Sequence, residues 1–222
     1  MKFELASVDA NILGHLYRSG TDRLISDLFS KVIVDEFILQ EIHNKQREIL
    51  PAIQPTLDQS DFLELIDRQA LRERKLVSIY DAQLQNMEYI FLPQDRGEKH
   101  AIALAKAVGA AFLLSDDEKQ DGPYWSIERG IIANLEVLGF WDIIYLNILA
   151  GKITDFSEAH DIYEQVCLHG YEPPYAAGFG SRMKMAVRHC MDKPWFINWC
   201  SEHGIAKKVS KDLLIMIKEN GW

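Results

Sequence analysis

Two short apolar runs in this chain end in aspartate. Leu5-Ala6-Ser7-Val8 leads into Asp9, and Ala111-Phe112-Leu113-Leu114-Ser115 leads into Asp116. A helix-like stretch follows each, beginning Ala10-Asn11-Ile12-Leu13 and Asp117-Glu118. Buried runs alternating with helices predict a parallel sheet covered on both faces. In such a sheet the carboxyl ends of the strands open on one crevice, and ligands bind there. The fold therefore gathers Asp9 and Asp116, although about a hundred residues separate them. Carboxylates in one crevice repel each other, which raises their pKa values unless a cation sits among them. A hard divalent ion, Mg2+ or Mn2+, with oxygen ligands is the expected companion, and metal-assisted phosphate chemistry the expected use.

Two further acids fall at suggestive places. Glu41 lies in Phe37-Ile38-Leu39-Gln40-Glu41-Ile42, on the same helix side as Phe37 four residues back. Glu98 opens the stretch Glu98 to Val108, whose Ala101, Ile102, Leu104, Ala105 and Val108 form one apolar face ended by Gly109. Each acid also has an ordinary structural use. Asp9 and Asp116 could be helix N-caps, Glu98 a first-turn acid favoured by the helix dipole, and Glu41 a solvated helix residue. Arg96 and Lys99, beside Glu98, are candidates to hold phosphate.

The elements that must position these acids follow from patterning. Strands are expected at 3–8, Lys31–Val34, Leu76–Ile79, Ala111–Ser115 and Leu135–Leu138. Helices are expected at Ile12–Arg18, Asp22–Phe29, Asp35–Asn44 with Asp35 as cap, 60–72, Leu84–Phe91, Glu98–Val108, from Lys119 or Tyr124 to Ala133, and Asp142–Ala150. Pro51 and Pro55 interrupt the segment between. After Gly151 the pattern becomes helical: Thr154–Leu168, a Pro- and Gly-rich linker at Glu172–Gly180, then Arg182–Met191, Pro194–Cys200 and Ile205–Asn220. The expectation is an α/β three-layer sandwich around a central parallel sheet (residues 1–153), followed by a C-terminal α-helical extension (154–222).

In order, spacing and local context the chain resembles the PIN domain family of metal-dependent ribonucleases. Ser7-Val8-Asp9-Ala10-Asn11-Ile12-Leu13 resembles the family's opening strand with its first acid, and Ile38-Leu39-Gln40-Glu41-Ile42 the helix carrying the second. Gly97-Glu98 with Ala101-Ile102-Ala103-Leu104-Ala105 resembles the third in the Gly-Glu subgroup, and Leu113-Leu114-Ser115-Asp116-Asp117 the fourth. Leu135 to Ile153 resembles the closing strand and helix, so the likeness covers about residues 3–153. The resemblance implies a PIN-like fold and a metal-dependent endoribonuclease with Mg2+ or Mn2+ held by Asp9, Glu41, Glu98 and Asp116. It implies RNA as substrate, products with a 5′-phosphate and 3′-hydroxyl, and a toxin-type or defence role with an antitoxin or other protein partner. A homodimer is left open. The chain departs from the family at Gly122-Pro123-Tyr124-Trp125, where a basic, small-residue helix is usual, and in its extension.

Other classes are weighed against this. A PIN-like binding or scaffold module without catalysis is the main alternative, disfavoured by the presence of all four acids. A phosphatase with an aspartate nucleophile usually carries a second aspartate two residues on; here Asn11 stands there. Cys167, His169, His189, Cys190, Cys200 and His203 could supply zinc ligands, but their spacing matches no zinc motif and buried free cysteine is the commoner reading. Three cysteines without a CxxC pair fit a reducing cytosol. The absence of a long apolar run or a secretory start leads to the expectation of a cytoplasmic protein away from membranes. The net charge of −9 is uneven: from Arg182 to Trp222 eight basic residues face four acids, leaving −13 in residues 1–181. So acidic a body argues against broad non-specific nucleic-acid binding.

Overall fold

The computed structural model describes the chain except residues 94, 121, 170–177 and 207. In chain order its elements are β1 (Phe3–Val8), α1 (Ala10–Ser19), α2 (Arg23–Leu28), β2 (Phe29–Asp35), α3 (Glu36–Lys45), α4 (Leu50–Gln59), β3 (Leu63–Ile66), α5 (Arg68–Glu73), α6 (Val77–Met87) and α7 (Arg96–Val108). They continue with β4 (Phe112–Leu114), α8 (Pro123–Glu128), β5 (Glu136–Leu138), α9 (Phe140–Leu149), α10 (Phe156–Leu168), α11 (Phe179–Met191), α12 (Pro194–His203) and α13 (Lys208–Glu219). The chain divides into two compact units. One comprises 2–17 and 29–139, and the other 18–28 and 140–222, with Met1 grouped in the second.

The first unit holds a five-stranded parallel sheet in the order β3-β2-β1-β4-β5. The chain builds outward from β1 through β2 to β3, then returns to the other side of β1 to add β4 and β5. The carboxyl ends of β1 and β4 therefore flank the topological switch point, where open α/β sheets hold their ligands. The carboxyl-terminal halves of β1 and β2 and all of β4 are buried, as internal parallel strands are near the site. Ile33 of β2 and Ile66 of β3 share a core cluster with Leu71 of α5, Tyr80 of α6 and Ala103, Leu104 and Ala107 of α7. Ser7 of β1 donates its hydroxyl to the carbonyl of Ala101, 2.9 Å away, fastening α7 to the sheet one turn from Glu98.

The structure departs from several of these expectations. Residues 60–72 are not one helix: Leu63–Ile66 pairs with β2 as the sheet's outer strand, and α5 begins only after Asp67, whose carboxylate caps it at Ala70 N–H, 2.7 Å. The apparent helical spacing of Phe62, Leu63, Ile66 and Ala70 joined the two buried ends of a strand, Leu63 and Ile66 on opposite faces, to a half-buried position of the helix that follows. Conversely, Leu76–Ile79 is not a strand but the start of α6, and the helix expected at Leu84–Phe91 is the end of that same helix, which stops at Met87. Leu76, Val77, Tyr80 and Leu84 pack on the core at helical spacing, while Ile79 points to solvent. Pro51 and Pro55 both lie within α4. Pro51 falls in the first turn, where no N–H partner is needed, and Pro55 forfeits one bond. α8 is shorter than expected, ending at Glu128.

Among its described residues the second unit is helical: α2 and α9–α13. All ten residues of α9 are buried, and it is contacted by α2, α10, α11 and α13. Asn147 Nδ2 donates to the carbonyls of Leu24 at 3.0 Å and Ile143 at 2.8 Å, tying α9 to α2. The guanidinium of Arg182 lies 4.2 Å above Trp141. The unit thus takes in α9, so that helix groups with the extension and not with the sheet. The expected linker at Glu172–Gly180 falls mostly on residues outside those described; α11 begins at Phe179. Among the described residues no helix is long and apolar enough to cross a membrane.

Candidate active site

Asp9 stands one residue beyond β1 and is 4% exposed. Its N–H continues the ladder to the carbonyl of Leu114, 3.0 Å away, and its Oδ1 accepts the N–H of Ile12 at 2.9 Å, capping α1. Its Oδ2 accepts the hydroxyl of Ser115, the residue before Asp116. Capping and site membership therefore coincide: the cap fixes one oxygen and Ser115 the other. Burial pushes the Asp9 carboxyl up to about 7, against the lowering hydrogen bonds from Ser115 and Ile12, with the charges of Glu98 and Asp117 adding to the rise.

Asp116 is 8% exposed beyond β4, with His15 Nε2 of α1 3.4 Å from its Oδ2. That oxygen is buried without a hydrogen bond among the described residues. Burial, and then the charge of Asp9, hold its carboxyl well above the usual range. Glu98, in the first turn of α7, is also raised, first by burial.

Glu41 projects from α3 toward α7 and binds Lys45 Nζ at 2.7 Å. Gly97 explains how it comes so close: a Cβ at that position would run into Glu41 Oε2. The Gly-Glu step thus has a geometric reason, since glycine makes room for one acid and the next residue supplies another. Asp9, Asn11, Glu41, Gly97 and Glu98 line a single small cleft of about 20 Å3, enough for one water or ion. Asp116 adjoins Asp9 but does not line this cleft.

Sequence reasoning missed Lys119. Its ammonium binds Asp117 at 2.7 Å, Asp95 at 3.1 Å and Glu98 at 3.3 Å. Burial works against its charge but is outweighed by the hydrogen bonds to Asp117 and Asp95, which hold its pKa above the ordinary value. No periodicity marks Lys119, nor His15 and Ser115; only the closed fold brings them to the acids. Lys99 is not available to phosphate: it is buried, with Nζ on Glu88 at 2.8 Å.

The donors fit a hard cation. They are carboxylate oxygens, Asp9, Glu98 and Asp116 have raised pKa values, and the Lys119 ammonium already sits on Glu98. They are not drawn tightly together. Among the described residues only Asp142, His189 and Cys190, in the helical unit, bring three ligand atoms within 4.8 Å of one another. There His189 Nδ1 lies 3.1 Å from Asp142 Oδ1, joining α11 to α9 beside the buried Cys190 thiol. Of the six cysteines and histidines considered for zinc, only His189 and Cys190 join this group, and Asp142 was not foreseen.

No family model, curated protein or solved structure matches the chain.

Proposed function

We propose that the acidic cleft beyond β1 is a divalent-metal centre and that the chain is a metal-dependent phosphodiesterase. Within that class, the reading favoured is an endoribonuclease of PIN-like architecture. The observation that supports it most is that Asp9, Glu41 and Glu98 line one small cleft at the switch point of a parallel sheet, with buried Asp116 adjoining Asp9. Desolvated carboxylates at such a place are costly unless a cation or proton neutralises them. Mg2+ or Mn2+, when bound, would supply an acidified water and charge stabilisation at the phosphodiester.

The chain's own residues do the rest. Asp9 is presented in a fixed orientation by Ile12 N–H and the Ser115 hydroxyl. Glu98 is carried to it by the Ser7–Ala101 anchor, and Glu41 enters over Gly97. Asn11, exposed at the lip of the cleft, offers an amide to a ligand or water. Lys119 neutralises the cluster and must yield Glu98 when a metal enters. RNA as substrate and a toxin-type or defence setting come from the family resemblance.

A second reading, a PIN-like binding module without catalysis, is favoured by the loose spacing of the acids and by the Lys119 ammonium among them. Product analysis separates the two. Single-stranded RNA incubated with protein and Mn2+ should give fragments bearing 5′-phosphate and 3′-hydroxyl ends. Cyclic phosphate ends, or equal cleavage in EDTA, would overturn the metal mechanism, and intact RNA would favour the binding module.

A further inference from the structure

A second groove, of about 180 Å3, opens beside the acidic cleft and shares Glu41 and Gly97 with it. Its other walls are Phe37, Gln40, Asn44, Lys45 and Arg96. Arg96 is exposed and makes no ion pair among the described residues, although acids outnumber bases in the chain 33 to 24. It is not loose. Its guanidinium sits 4.5 Å above the ring of Phe37, which stacks on His100 at 4.4 Å with 7° between the planes. Beneath that, His100 Nδ1 meets the Tyr80 hydroxyl at 2.6 Å, and the same hydroxyl donates to Asp35 Oδ2 at 2.7 Å. Asp35 also caps α3 through Phe37 N–H at 2.8 Å. A buried chain of polar contacts thus supports a stack of rings whose outermost member is a charged fork at the groove.

Such a guanidinium, covered on one face by an aromatic ring, keeps its N–H edge for an anion with paired oxygens, phosphate above all. Gln40 and Asn44 lie one turn apart on α3, both exposed, and each offers an amide donor and acceptor. Amides of this kind match the edges of an unpaired base, which a duplex does not present. We infer that this groove seats one nucleotide of a single-stranded RNA next to the bond held at the acidic cleft, with Arg96 on its phosphate and Gln40 and Asn44 on its base. The inference rests on the nuclease reading for its choice of polymer.

The test measures binding and not cleavage. A fluorescein-labelled mixed-sequence 12-mer RNA is titrated, in EDTA and at several salt concentrations, with Asp9→Asn protein and with the same protein carrying Arg96→Gln or Gln40→Ala/Asn44→Ala. Arg96→Gln should weaken binding about tenfold and lower the salt slope by roughly 0.7, the value of one phosphate contact on a single strand. The amide pair should leave the slope intact and flatten the preference among homopolymers of A, U and C. The duplex of the same sequence, and free mononucleotides as competitors, should bind far more weakly. An unchanged affinity and slope in Arg96→Gln, or no RNA binding by the parent, overturns the inference. Metal-dependent cleavage by the wild type alongside Arg96-independent binding removes the groove and leaves the nuclease. Arg96-dependent binding by a protein that neither binds Mn2+ nor cleaves removes the nuclease and leaves the groove.

Discussion

Replacing Asp9 by asparagine should stabilise the metal-free protein at alkaline pH and not at acid pH. The folded chain takes up a proton at Asp9 near pH 7, whereas the unfolded chain does so at the ordinary 3.8. Between those values the folded state binds more protons than the unfolded one, so stability falls as pH rises from about 4 to about 7 and stays low above. A shift of about three units at 1.36 kcal/mol each sets an upper bound of about 4 kcal/mol. Asparagine keeps the Oδ1 that caps Ile12, and its amide can donate to the Ser115 oxygen, so the mutant loses the charge and little else. Relief of Asp116, whose carboxyl feels the Asp9 charge, works in the same direction. Urea unfolding in EDTA should therefore find the two proteins nearly equal near pH 4 and the mutant more stable by 1 kcal/mol or more, roughly, at pH 8. Saturating Mn2+ should reverse the order, since a ligand at 100 times its Kd contributes about 2.7 kcal/mol to the wild type alone. A mutant less stable than the wild type at pH 8 in EDTA would refute the premise that burial burdens this carboxylate.

Three further outcomes follow from the same geometry. Gly97→Ala gains helix propensity of up to about 1 kcal/mol but drives a Cβ into Glu41 Oε2. Calorimetric titration should show about tenfold weaker Mn2+ binding with little change in Tm, and an unaltered affinity would remove Glu41 from the site. Lys119→Gln deletes the ammonium that competes for Glu98, Asp95 and Asp117. It should lower stability in EDTA while tightening Mn2+ several-fold, roughly, and weaker Mn2+ binding would show that Lys119 helps to build the site. Asn147→Leu, in the helical unit, loses hydrogen bonds to Leu24 and Ile143 and should cost about 1–3 kcal/mol in urea unfolding; a neutral change would mean that α2 is held to α9 by packing alone.

The strands that flank the site were legible because they are internal. Ala6–Val8, Val32–Val34 and Phe112–Leu114 are buried and sit in runs that read as apolar. β3 was not, because it is a four-residue edge strand that pairs only with β2 and is buried only at Leu63 and Ile66, with Glu64 ion-paired to Lys31 and Leu65 exposed. The start of α6 misled for the opposite reason: Val77 and Ile79 are β-branched, and tertiary packing overrides that preference. The division of the chain was obscured by α9, which is buried around its whole circumference and largely apolar, and so carries no one-sided pattern to say which unit it joins. At the site, Asp9 and Asp116 could be paired from strand ends alone, since parallel topology fixes where such ends meet. The partners that set their electrostatics could not. Ser115, His15 and Lys119 matter through contacts that exist only once the sheet has closed, and the role of Gly97 appears only when Glu41 is seen lying against it.

The proposed nuclease should be tested first by a time course of single-stranded RNA cleavage by EDTA-stripped protein, with Mn2+, with Mg2+ and with neither, beside Asp9→Asn and Asp116→Asn. If the acids beyond β1 and β4 hold a metal that cuts RNA, cleavage occurs only with metal and falls about a hundredfold or more in both mutants, each of which removes a charge at nearly constant volume. Cleavage by folded Asp9→Asn at the wild-type rate, or intact RNA with both metals in a folded wild type, would contradict it.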